Sequence, residues 1–441
     1  MALEERDFDV IVVGAGCAGA TAAYVAAKLG KSVLAIERGE SAGSKNVTGG
    51  RIYAHSLRKV FRDYEGDDFD FDSNNSPFER RISHERICML DADSSMTIDY
   101  TSKNLTKKEC DSYAVLPTKL DQWLCDKAEA EGAEFIFGIA VEELLKNDAG
   151  DVIGVRAGED EITAQVVIVC EGQNSILTER CLGARRAATH EMAVGIKEVF
   201  ELPAQEIEDR FLCLPGEGAA QLWVGDCTSG YVGGGFMYTN DDSISIGIVA
   251  TIKELSESDT TIYQMFDDFK RHPAVAPIIA GAKMVEHSGH MVSEGGANMT
   301  PQLVYGGALV CGDAAMLCMN LGYMVRGMDL AIASGQFAAE AACRAIDAGD
   351  VSVTGLATYK EALNNSFVMK DLNTYKLWPS TMEHWDSMFT DYPKMVGEIF
   401  DSMFVVDGQP TQHLSKRIIP IVKKRGVFKL FKEVKGALKA L

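Results

Sequence analysis

The sequence predicts an α/β chain with an α+β multi-domain arrangement: a parallel sheet with helices, an inserted antiparallel β-sheet and a helical C-terminal part. Three observations predict it. Phe8–Ile36 has the pattern of a strand, a glycine-rich turn, a helix and a second strand. From about Ala188 to Glu294, apolar and polar residues alternate with period two among many glycines. From about Val351 the apolar spacing is helical, with aromatic residues such as Trp378, Trp385 and Tyr392.

The first of these elements is a β-α-β unit. Phe8–Val13 is a continuous apolar run typical of a buried strand, Cys17–Leu29 suits a helix, and Ser32–Ile36 is apolar and partly β-branched. Val10–Ala27 carries no charge, but its glycines and alanines make it weakly apolar and acids precede it. These features argue against a signal peptide or a membrane span and favour strand, turn and helix.

The turn of this unit carries a nucleotide-binding pattern. Gly14, Gly16 and Gly19 form G-x-G-x-x-G, and Glu37 follows 18 residues after Gly19 at the end of the second strand. The first glycine permits the tight turn, the second lets the backbone approach a pyrophosphate, and the third allows close helix packing. Glu37 would accept hydrogen bonds from ribose hydroxyls. The candidate binding residues here are Gly14, Ala15, Gly16, Ala18, Gly19, Glu37 and Arg38.

Bulk composition limits the possible functions. The 441 residues are 46% hydrophobic and 24% charged, which is enough for two or three packed domains. The formal net charge of −21 argues against nucleic acid as a partner. The eleven cysteines include no C-x-x-C pair and no zinc or iron–sulfur spacing, so we predict reduced thiols, no metal site and a cytoplasmic location.

We expect the antiparallel sheet to split the nucleotide-binding domain. That domain would carry an acidic surface insertion in its first part and would close with the Ala-rich helix Asp329–Ile346. The expected boundaries are 1–187 for the first part, 63–76 for the insertion, 188–300 for the antiparallel substrate or acceptor domain, 301–350 for the return and 351–441 for the helical region.

Two downstream fragments point to the kind of dinucleotide. Leu309–Ala315 is a strand that ends in Gly-Asp, and it resembles the fingerprint of flavin-binding families in which this aspartate bonds the ribityl chain of FAD. Val167–Ser175 resembles the strand and Gly-x-x-Ser turn that cover the same cofactor. The resemblance implies FAD in a glutathione-reductase-type FAD-binding Rossmann fold. It also implies a helix N-terminus near Gly322 that faces the flavin N1 and O2 region. The residues that it adds to the binding set are Val141, Glu171, Gly172, Ser175, Gly312, Asp313, Asn320, Leu321 and Gly322.

Four other segments narrow the resemblance. Lys45–Arg51, Tyr231–Phe236, His272–Pro277 and Asn320–Asp329 together resemble the FixC proteins, relatives of electron-transfer flavoprotein-quinone oxidoreductases and geranylgeranyl reductases, over nearly the whole chain. This implies a flavin oxidoreductase that accepts electrons from electron-transfer flavoprotein, the FixA and FixB pair, and passes them toward quinone or a ferredoxin-like FixX. Fused members of the family carry an iron–sulfur domain. This chain lacks such a cysteine cluster, so the resemblance places that centre on a separate subunit.

The loop that follows the β-α-β unit adds cofactor candidates. They are Gly49, Gly50 and Arg51, of which Arg51 would contact pyrophosphate or the O2 edge of the ring. Arg326 could have the same role, but an ordinary ion pair with an acidic residue is the competing interpretation. For Glu171, the competing interpretation is an exposed acid in a turn. The chain departs from the family at one position. In the family, an arginine that precedes a helix helps to hold the cofactor, whereas this chain has Lys119 there. An ammonium group cannot form the paired hydrogen bonds of a guanidinium, so Lys119 would replace the arginine only in part. The segment after Asp313 also lacks the proline common in flavin hydroxylases, which disfavours a monooxygenase.

We predict no catalytic acid or base among the side chains, because flavin itself carries out electron transfer. His55, His84, His287 and His290 are candidates only for reduction of a carbon–carbon double bond, which needs a proton beside the hydride. A surface or core role is the competing interpretation for each.

The last segment, 416–441, is a basic amphipathic tail. It holds nine Lys or Arg and only Glu433 as acid, which leaves 34 bases and 63 acids in the rest of the chain. The tail could lie on an anionic membrane surface near quinone, clamp a partner subunit or pack on its own domain. A membrane role would make the protein peripheral at the inner face of the cell membrane. The predicted apolar face is Val427, Leu430, Phe431, Val434, Leu438 and Leu441.

Two alternative functions stay open at this point. One is a stand-alone flavin-dependent reductase of an unsaturated small molecule or isoprenoid, as in the geranylgeranyl reductases. The other is a non-catalytic subunit that holds FAD for the assembly of a larger complex.

Overall fold

The protein is described by a computed structural model that covers residues 4–46, 50–71 and 75–441. The strands, in chain order, are β1 (Phe8–Val13), β2 (Val33–Glu37), β3 (Arg51–Tyr53), β4 (Arg81–Leu90), β5 (Ser95–Thr101), β6 (Ser112–Ala114), β7 (Glu134–Phe137), β8 (Val141–Lys146), β9 (Val152–Ala157), β10 (Asp160–Val169), β11 (Met192–Glu201), β12 (Glu217–Gly225), β13 (Gly233–Thr239), β14 (Ser243–Thr251), β15 (Lys283–Ser293), β16 (Val304–Tyr305), β17 (Ala308–Val310), β18 (Met319–Asn320) and β19 (Val325–Arg326). The helices are α1 (Cys17–Lys28), α2 (His55–Glu65), α3 (Pro117–Ala130), α4 (Ile176–Arg180), α5 (Ala204–Phe211), α6 (Ile252–Glu257), α7 (Ile262–Arg271), α8 (Ala276–Ile279), α9 (Met328–Ala348), α10 (Thr358–Asn365), α11 (Phe367–Thr374), α12 (Trp378–Glu383), α13 (Asp386–Phe389), α14 (Asp391–Phe404), α15 (Leu414–Lys424) and α16 (Val427–Ala440).

The first sheet is the predicted nucleotide-binding sheet. Its strand order is β16-β17-β10-β1-β2-β7, and β1 pairs in parallel with both β2 and β10. Strand β10 also pairs in parallel with β17, so Val169 lies opposite Val310 although the two are far apart in sequence. The continuous apolar runs of these strands are buried, as a parallel sheet covered on both faces requires. The predicted α/β Rossmann fold is confirmed.

Helices α1 and α9 pack closely beside this sheet. A Cβ on Gly335 of α9 would lie 2.2 Å from the Ala18 carbonyl oxygen, so only glycine permits this approach. A Cβ on Gly19 would lie 1.9 Å from the Gly14 carbonyl oxygen, as expected of the third glycine of the motif. The two helices therefore hold the glycine-rich turn firmly against the strand ends.

The second sheet differs from the expected one in its composition. Its order is β15-β11-β14-β13-β12-β4-β6-β3, with β5 paired to β4. The antiparallel pairs β11–β14 and β13–β14 follow the predicted alternation, but β4 pairs in parallel with β12. Residues 51–114 thus contribute strands to a sheet that we expected to begin at residue 188. Period-two alternation does not reveal which strands pair across the chain, so this contribution was not visible in the sequence.

The expected acidic insertion at 63–76 is also partly structural. Its first residues complete α2, and the Glu65 carboxylate accepts a hydrogen bond of 2.6 Å from the Tyr24 hydroxyl. Phe71 is buried and lies edge-on to Phe61, with ring centroids 5.6 Å apart. Aromatic residues between the acids therefore anchor this segment, whereas residues 72–74 lie outside the described ones.

The C-terminal region is helical, and its last helix leaves most of its predicted apolar face exposed. The inward side of α16 carries half-buried Leu430 and buried Ala437 and Ala440. The other members of the predicted apolar face are exposed, together with Phe428 at 91%. The exposed set is Val427, Phe428, Phe431, Val434, Leu438 and Leu441. Within the described residues, no helix combines the length and the hydropathy needed to cross a bilayer.

Candidate functional site

A large cavity joins the first sheet to the second. Its volume is about 800 Å³. One end lies at the carboxyl ends of β1, β2, β10 and β17, where doubly wound sheets bind ligands. The other end lies between the second sheet, α12, α13 and Leu441. We call these the dinucleotide end and the apolar end.

Most of the predicted binding residues line this cavity. Three stand behind the wall: the Ala15 N–H donates to Glu37 Oε2 at 2.9 Å, Gly19 packs on Gly14, and Ser175 lies beside Gly172. Gly49 lies outside the described residues. The predicted residues that line the cavity are Gly14, Gly16, Ala18, Glu37, Arg38, Gly50, Arg51, Val141, Glu171, Gly172, Gly312, Asp313, Asn320, Leu321 and Gly322.

The glycine-rich turn leaves room for a ligand at one position. Gly14 has φ +98°, and a Cβ there would lie 2.3 Å from the Cys170 carbonyl oxygen. A Cβ on Gly16 would meet Asn46 Nδ2 at 3.4 Å and would otherwise extend into the cavity. No side chain of the described residues caps α1, which begins just after Gly16. Its first N–H groups are therefore available to an anion such as a diphosphate.

Two carboxylates face the ligand space. Glu37 accepts from the N–H groups of Ala15 and Gly39, the latter at 2.7 Å, and keeps further lone pairs for ligand hydroxyls. Asp313 follows β17, and burial raises the pKa of its carboxyl while the charge of His290 opposes the rise. A hydroxyl-bearing ligand that donates to Asp313 would stabilise its ionised form.

The structure corrects the expected helix near Gly322. Gly322, with φ +79°, lies between β18 and β19, which pair with each other. The helix that faces the cavity is α9, which begins at Met328 after Gly327, and both of these residues line the wall. The motif spacing did not show that a short hairpin separates the Gly-Asp turn from this helix.

The carboxylate of Glu171 accepts hydrogen bonds from the first turn of α4. Its two carboxylate oxygens accept from the N–H groups of Leu177 and Thr178, at 2.8 and 2.7 Å, and from the Thr178 hydroxyl. It therefore caps α4 while lining the cavity, so it is more than an exposed turn acid.

The predicted arginines and Lys119 have fixed partners. Arg51 lines the cavity, and its guanidinium pairs with Glu85 and with Ser112 Oγ at 3.0 Å. Arg326 pairs with Asp329 at 2.6 Å and Asp371 at 2.7 Å, as the competing interpretation expected. Lys119 pairs with Glu79 at 2.9 Å and is not among the residues that line the cavity.

The histidines separate into two groups. His55, His84 and His287 each lie 3.0 Å from a carboxylate oxygen, of Asp329, Asp99 and Glu198 respectively, away from the cavity wall. His290 alone among the four candidates lines the cavity.

Sequence reasoning missed two acids in the wall, buried Asp121 and half-buried Glu294. Burial raises the pKa of Asp121 on α3 to about 7, with Cys17 Sγ 3.1 Å away and Asn46 as a second hydrogen-bond donor. Burial also raises the pKa of Glu294 to about 7. No motif marks either residue, since each reaches the cavity through tertiary packing. Asp121 does fall on a helix that sequence spacing predicted.

The apolar end was also missed. The second sheet contributes Ile87, Met89, Leu222, Val224 and Phe236, and the C-terminal region contributes Trp378, Met382, Trp385, Met388, Phe389 and Leu441. The indole N–H of Trp378 is buried and has no acceptor among the described residues. Such a compartment suits an apolar ring that carries hydrogen-bond acceptors.

The dinucleotide end fits FAD on three observations: the open space beside Gly16, the uncapped N-terminus of α1 and the carboxyl of Asp313. The buried Gln173 Oε1, which lacks a donor among the described residues, adds a place for a ring N–H. When bound there, FAD supplies reversible electron acceptance beside the apolar end.

Comparisons with protein families agree with this geometry. Residues 9–179 match the FAD dependent oxidoreductase family. Residues 192–292 match the ETF-QO ubiquinone-binding family, and residues 378–441 match the ETF-QO/FixC family C-terminal domain. The three matches together include residues from both ends of the cavity.

Curated relatives align over nearly the full chain. The probable electron transfer flavoprotein-quinone oxidoreductase YdiS of Escherichia coli K12 is 44% identical over 99% of both chains. Protein FixC of the same strain is 44% identical over 98% of both chains, and Protein FixC of Bradyrhizobium diazoefficiens is 38% identical over 92% of both.

A solved structure shares the fold at lower identity. It is a geranylgeranyl bacteriochlorophyll reductase-like protein from Thermoplasma acidophilum, with a TM-score of 0.70 and 19% identity over 98% of this chain and 99% of the other. That similarity shows the fold alone. The full-length identity to the FixC proteins, by contrast, shows that the chain belongs to the FixC/ETF-QO family of FAD-dependent oxidoreductases.

Proposed function

We propose that this protein takes electrons from an electron-transfer flavoprotein and delivers them to a quinone. The observation that carries the proposal is the continuity of one cavity from the FAD-fitting dinucleotide end to the apolar end. The family match at residues 192–292 supports a quinone, and the name of the relative YdiS supports the electron donor.

The residues of the apolar end suit a quinone ring. Its aromatic and aliphatic side chains offer apolar contacts to the ring, and Trp378 offers an indole N–H for which a quinone carbonyl is a matching acceptor. Leu441 connects this compartment to α16, whose exposed face carries Phe428, Phe431 and Leu438. A membrane-dissolved quinone could therefore enter beside the terminal helix.

The tail supports attachment to a membrane surface, at the inner face of the cell membrane. Exposed apolar side chains on α16 are flanked by Lys432, Lys435 and Lys439, which are also exposed. An amphipathic helix of this kind lies in the interface of an anionic bilayer, with its apolar side toward the acyl chains. The predicted alternative of packing on its own domain uses the other face, through Leu430 and Ala437.

A ferredoxin-like protein of the FixX type is a second proposed partner. The described residues contain no cluster of Cys, His, Asp and Glu able to hold a metal ion. An iron–sulfur relay would therefore be supplied by another chain.

The test is anaerobic stopped-flow absorbance of the FAD-loaded protein. Reduced electron-transfer flavoprotein should bleach its flavin rapidly, and a short-chain ubiquinone should then restore the colour. Bleaching by NADH or NADPH alone would favour the stand-alone reductase of an unsaturated small molecule. Flavin that stays oxidised with every donor would favour a non-catalytic, FAD-holding subunit.

A further inference from the structure

Reduction of a quinone to a quinol consumes two protons as well as two electrons. Here the electrons come from reduced electron-transfer flavoprotein through the bound cofactor. Each proton must reach a quinone oxygen inside a largely apolar compartment, so an ionisable wall residue that also contacts solvent is suited to relay it. Several carboxyl groups line the cavity, and their existing partners decide which of them can do so.

At the dinucleotide end the carboxyl groups have other tasks. Glu37 holds the N–H groups of Ala15 and Gly39, and Glu171 caps α4. Asp121 is bonded to Cys17 and Asn46 on the side of the glycine-rich turn. None of these three carboxyl groups lies among the residues of the apolar end.

Nearer the apolar end, most of the acids are neutralised or bonded to backbone. Glu191 pairs with Arg185 at 2.6 Å and accepts from the Ala188 N–H. Glu383 pairs with Lys253 at 3.0 Å. These ion pairs favour the carboxylate form, which has no proton to donate at neutral pH. Glu254, on α6, accepts from the N–H of Val232.

Glu294 differs from all of them. It follows β15 and precedes Gly295 and Gly296, both at positive φ, and its carboxyl lines the cavity. A Cβ on Gly295 would lie 2.0 Å from the Cys318 carbonyl oxygen, so this backbone is held tightly against the Asn320 loop. The carboxyl accepts one hydrogen bond, of 3.2 Å, from Asn320 Nδ2. Among the described residues, no Lys, Arg or His forms an ion pair with it.

The charged surroundings of Glu294 favour a carboxyl that exchanges a proton near neutrality. Burial raises its pKa to about 7, the negative charge of Glu254 on α6 adds to the rise, and the amide of Asn320 opposes it. The Cys318 thiol on the facing loop is also near this carboxyl, whose negative charge helps to raise the pKa of the thiol.

We propose that Glu294 is the residue that donates a proton to the quinone in the apolar end of the cavity. This proposal rests on the proposed function. The O–H bond of the Glu294 carboxyl breaks as the O–H bond of the quinol forms, and the bonding pair stays on the carboxylate. Glu294, which is half-buried, then takes a proton from solvent and supplies the second proton that the quinol requires.

The test compares two ways of oxidising the reduced, flavin-loaded protein: by an acceptor that takes up protons with its electrons and by one that takes up electrons alone. Wild type, Glu294→Gln, Glu294→Asp and the exposed control Glu257→Gln are reduced anaerobically by electron-transfer flavoprotein. Each is then mixed with a short-chain ubiquinone or with ferricenium ion, which takes one electron and no proton. Flavin content and the unfolding midpoint confirm that each variant is folded.

The expected result is a quinone reaction that is about 100-fold slower in Glu294→Gln, with ferricenium oxidation within about twofold of wild type. In wild type the quinone rate should fall as pH rises through about 7, and Glu294→Gln should lose this dependence. Glu294→Asp should recover part of the rate, and Glu257→Gln should match wild type.

An unchanged quinone rate in Glu294→Gln would overturn the proposal, as would equal slowing with both acceptors, which would indicate a disturbed flavin site. Failure of the proposed function gives a different result. In that case wild type itself would react with ferricenium and not with quinone, and both proposals would be wrong.

Discussion

The two ends of the cavity are built on different principles. At the dinucleotide end, backbone forms a decisive part of the wall, and the close contact at Gly14 and the open space at Gly16 set its shape. At the apolar end the wall is made of side chains from two distant parts of the chain, such as Leu222 and Trp378. A backbone wall needs particular residues at fixed spacing, whereas a side-chain wall needs only apolar volume.

This difference explains what each end can tolerate. The dinucleotide end leaves no room for an added methyl group where two backbones meet. The apolar end can exchange one large apolar residue for another of similar volume at modest cost. Specificity for the cofactor therefore depends on glycine positions, and specificity for the acceptor depends on a few polar atoms among apolar ones.

The sharpest test compares two glycines of one turn. Gly14→Ala should prevent stable folding around FAD, because its Cβ would lie 2.3 Å from a backbone oxygen at φ +98°. We expect a loss of about 3 kcal/mol or more in the free energy of unfolding. Gly16→Ala should cost less than about 1 kcal/mol in the apoprotein yet weaken FAD at least about tenfold. Thermal unfolding and flavin fluorescence titration measure the two effects. Normal FAD affinity in Gly16→Ala would contradict the inference that the cofactor occupies the space beside Gly16.

Two carboxylates at the same end should behave differently. Asp313→Ala should weaken FAD binding by about 1.5–3 kcal/mol, since it removes a charged acceptor for ligand hydroxyls. Glu171→Gln should instead lower the free energy of unfolding by about 1 kcal/mol through the lost cap of α4, with FAD affinity within about threefold of wild type. Calorimetry and fluorescence titration separate them. Equal loss of affinity in both variants would assign Glu171 to the cofactor as well.

The mouth of the apolar end can be tested through α16. Changing Phe428, Phe431 and Leu438 to Ser should reduce co-sedimentation with vesicles rich in anionic lipid at least about tenfold. Added salt should weaken the binding of wild type because the flanking lysines contribute. The control exchanges Ile98 and Val353, exposed elsewhere at 57% and 50%, for Ser. Equal binding of both variants would contradict a membrane role for the tail.

The smallest effect concerns the pH dependence of stability. Burial raises the pKa of Asp121 from 3.8 to about 7, so between about pH 4 and pH 7 the folded chain keeps a proton that the unfolded chain has released. Stability should therefore fall as pH rises through that window and stay level above it. Asp121→Asn should show a smaller change in unfolding midpoint between about pH 5 and about pH 8. The exposed neighbour Asp126→Asn should keep the wild-type slope.

Sequence alone identified the dinucleotide end well because its residues follow local rules. The β-α-β unit, Glu37 and the Gly-Asp turn each sit at fixed distances from a strand end, and all three lie at the cavity. The hairpin β18–β19 escaped notice because two-residue strands leave no periodic signal. As a result, the helix facing the cavity was expected at Gly322 rather than after Gly327.

The apolar end could not be predicted for a different reason. Trp378 and Leu222 look like ordinary core residues in sequence, and only the fold brings them to one compartment. Parallel pairing of β4 with β12 is equally invisible, because alternation shows that a strand exists and not which neighbour it takes. Glu294 belongs to no sequence motif. What sets it apart is its surroundings in the fold, where its carboxyl accepts a hydrogen bond from Asn320 and forms no ion pair among the described residues.

The order of strands in the first sheet has a consequence for how the protein is made. Strand β1 emerges early from the ribosome, but β17, which adjoins Asp313, follows roughly 300 residues later. At about 5–20 residues per second, the glycine-rich turn waits about 15–60 s for the wall that completes its site. During synthesis β1 can pair with β2 well before β10 exists. Cofactor loading is therefore a late event, and a nascent chain halted before Leu309 would present an open sheet edge to chaperones instead of a flavin site.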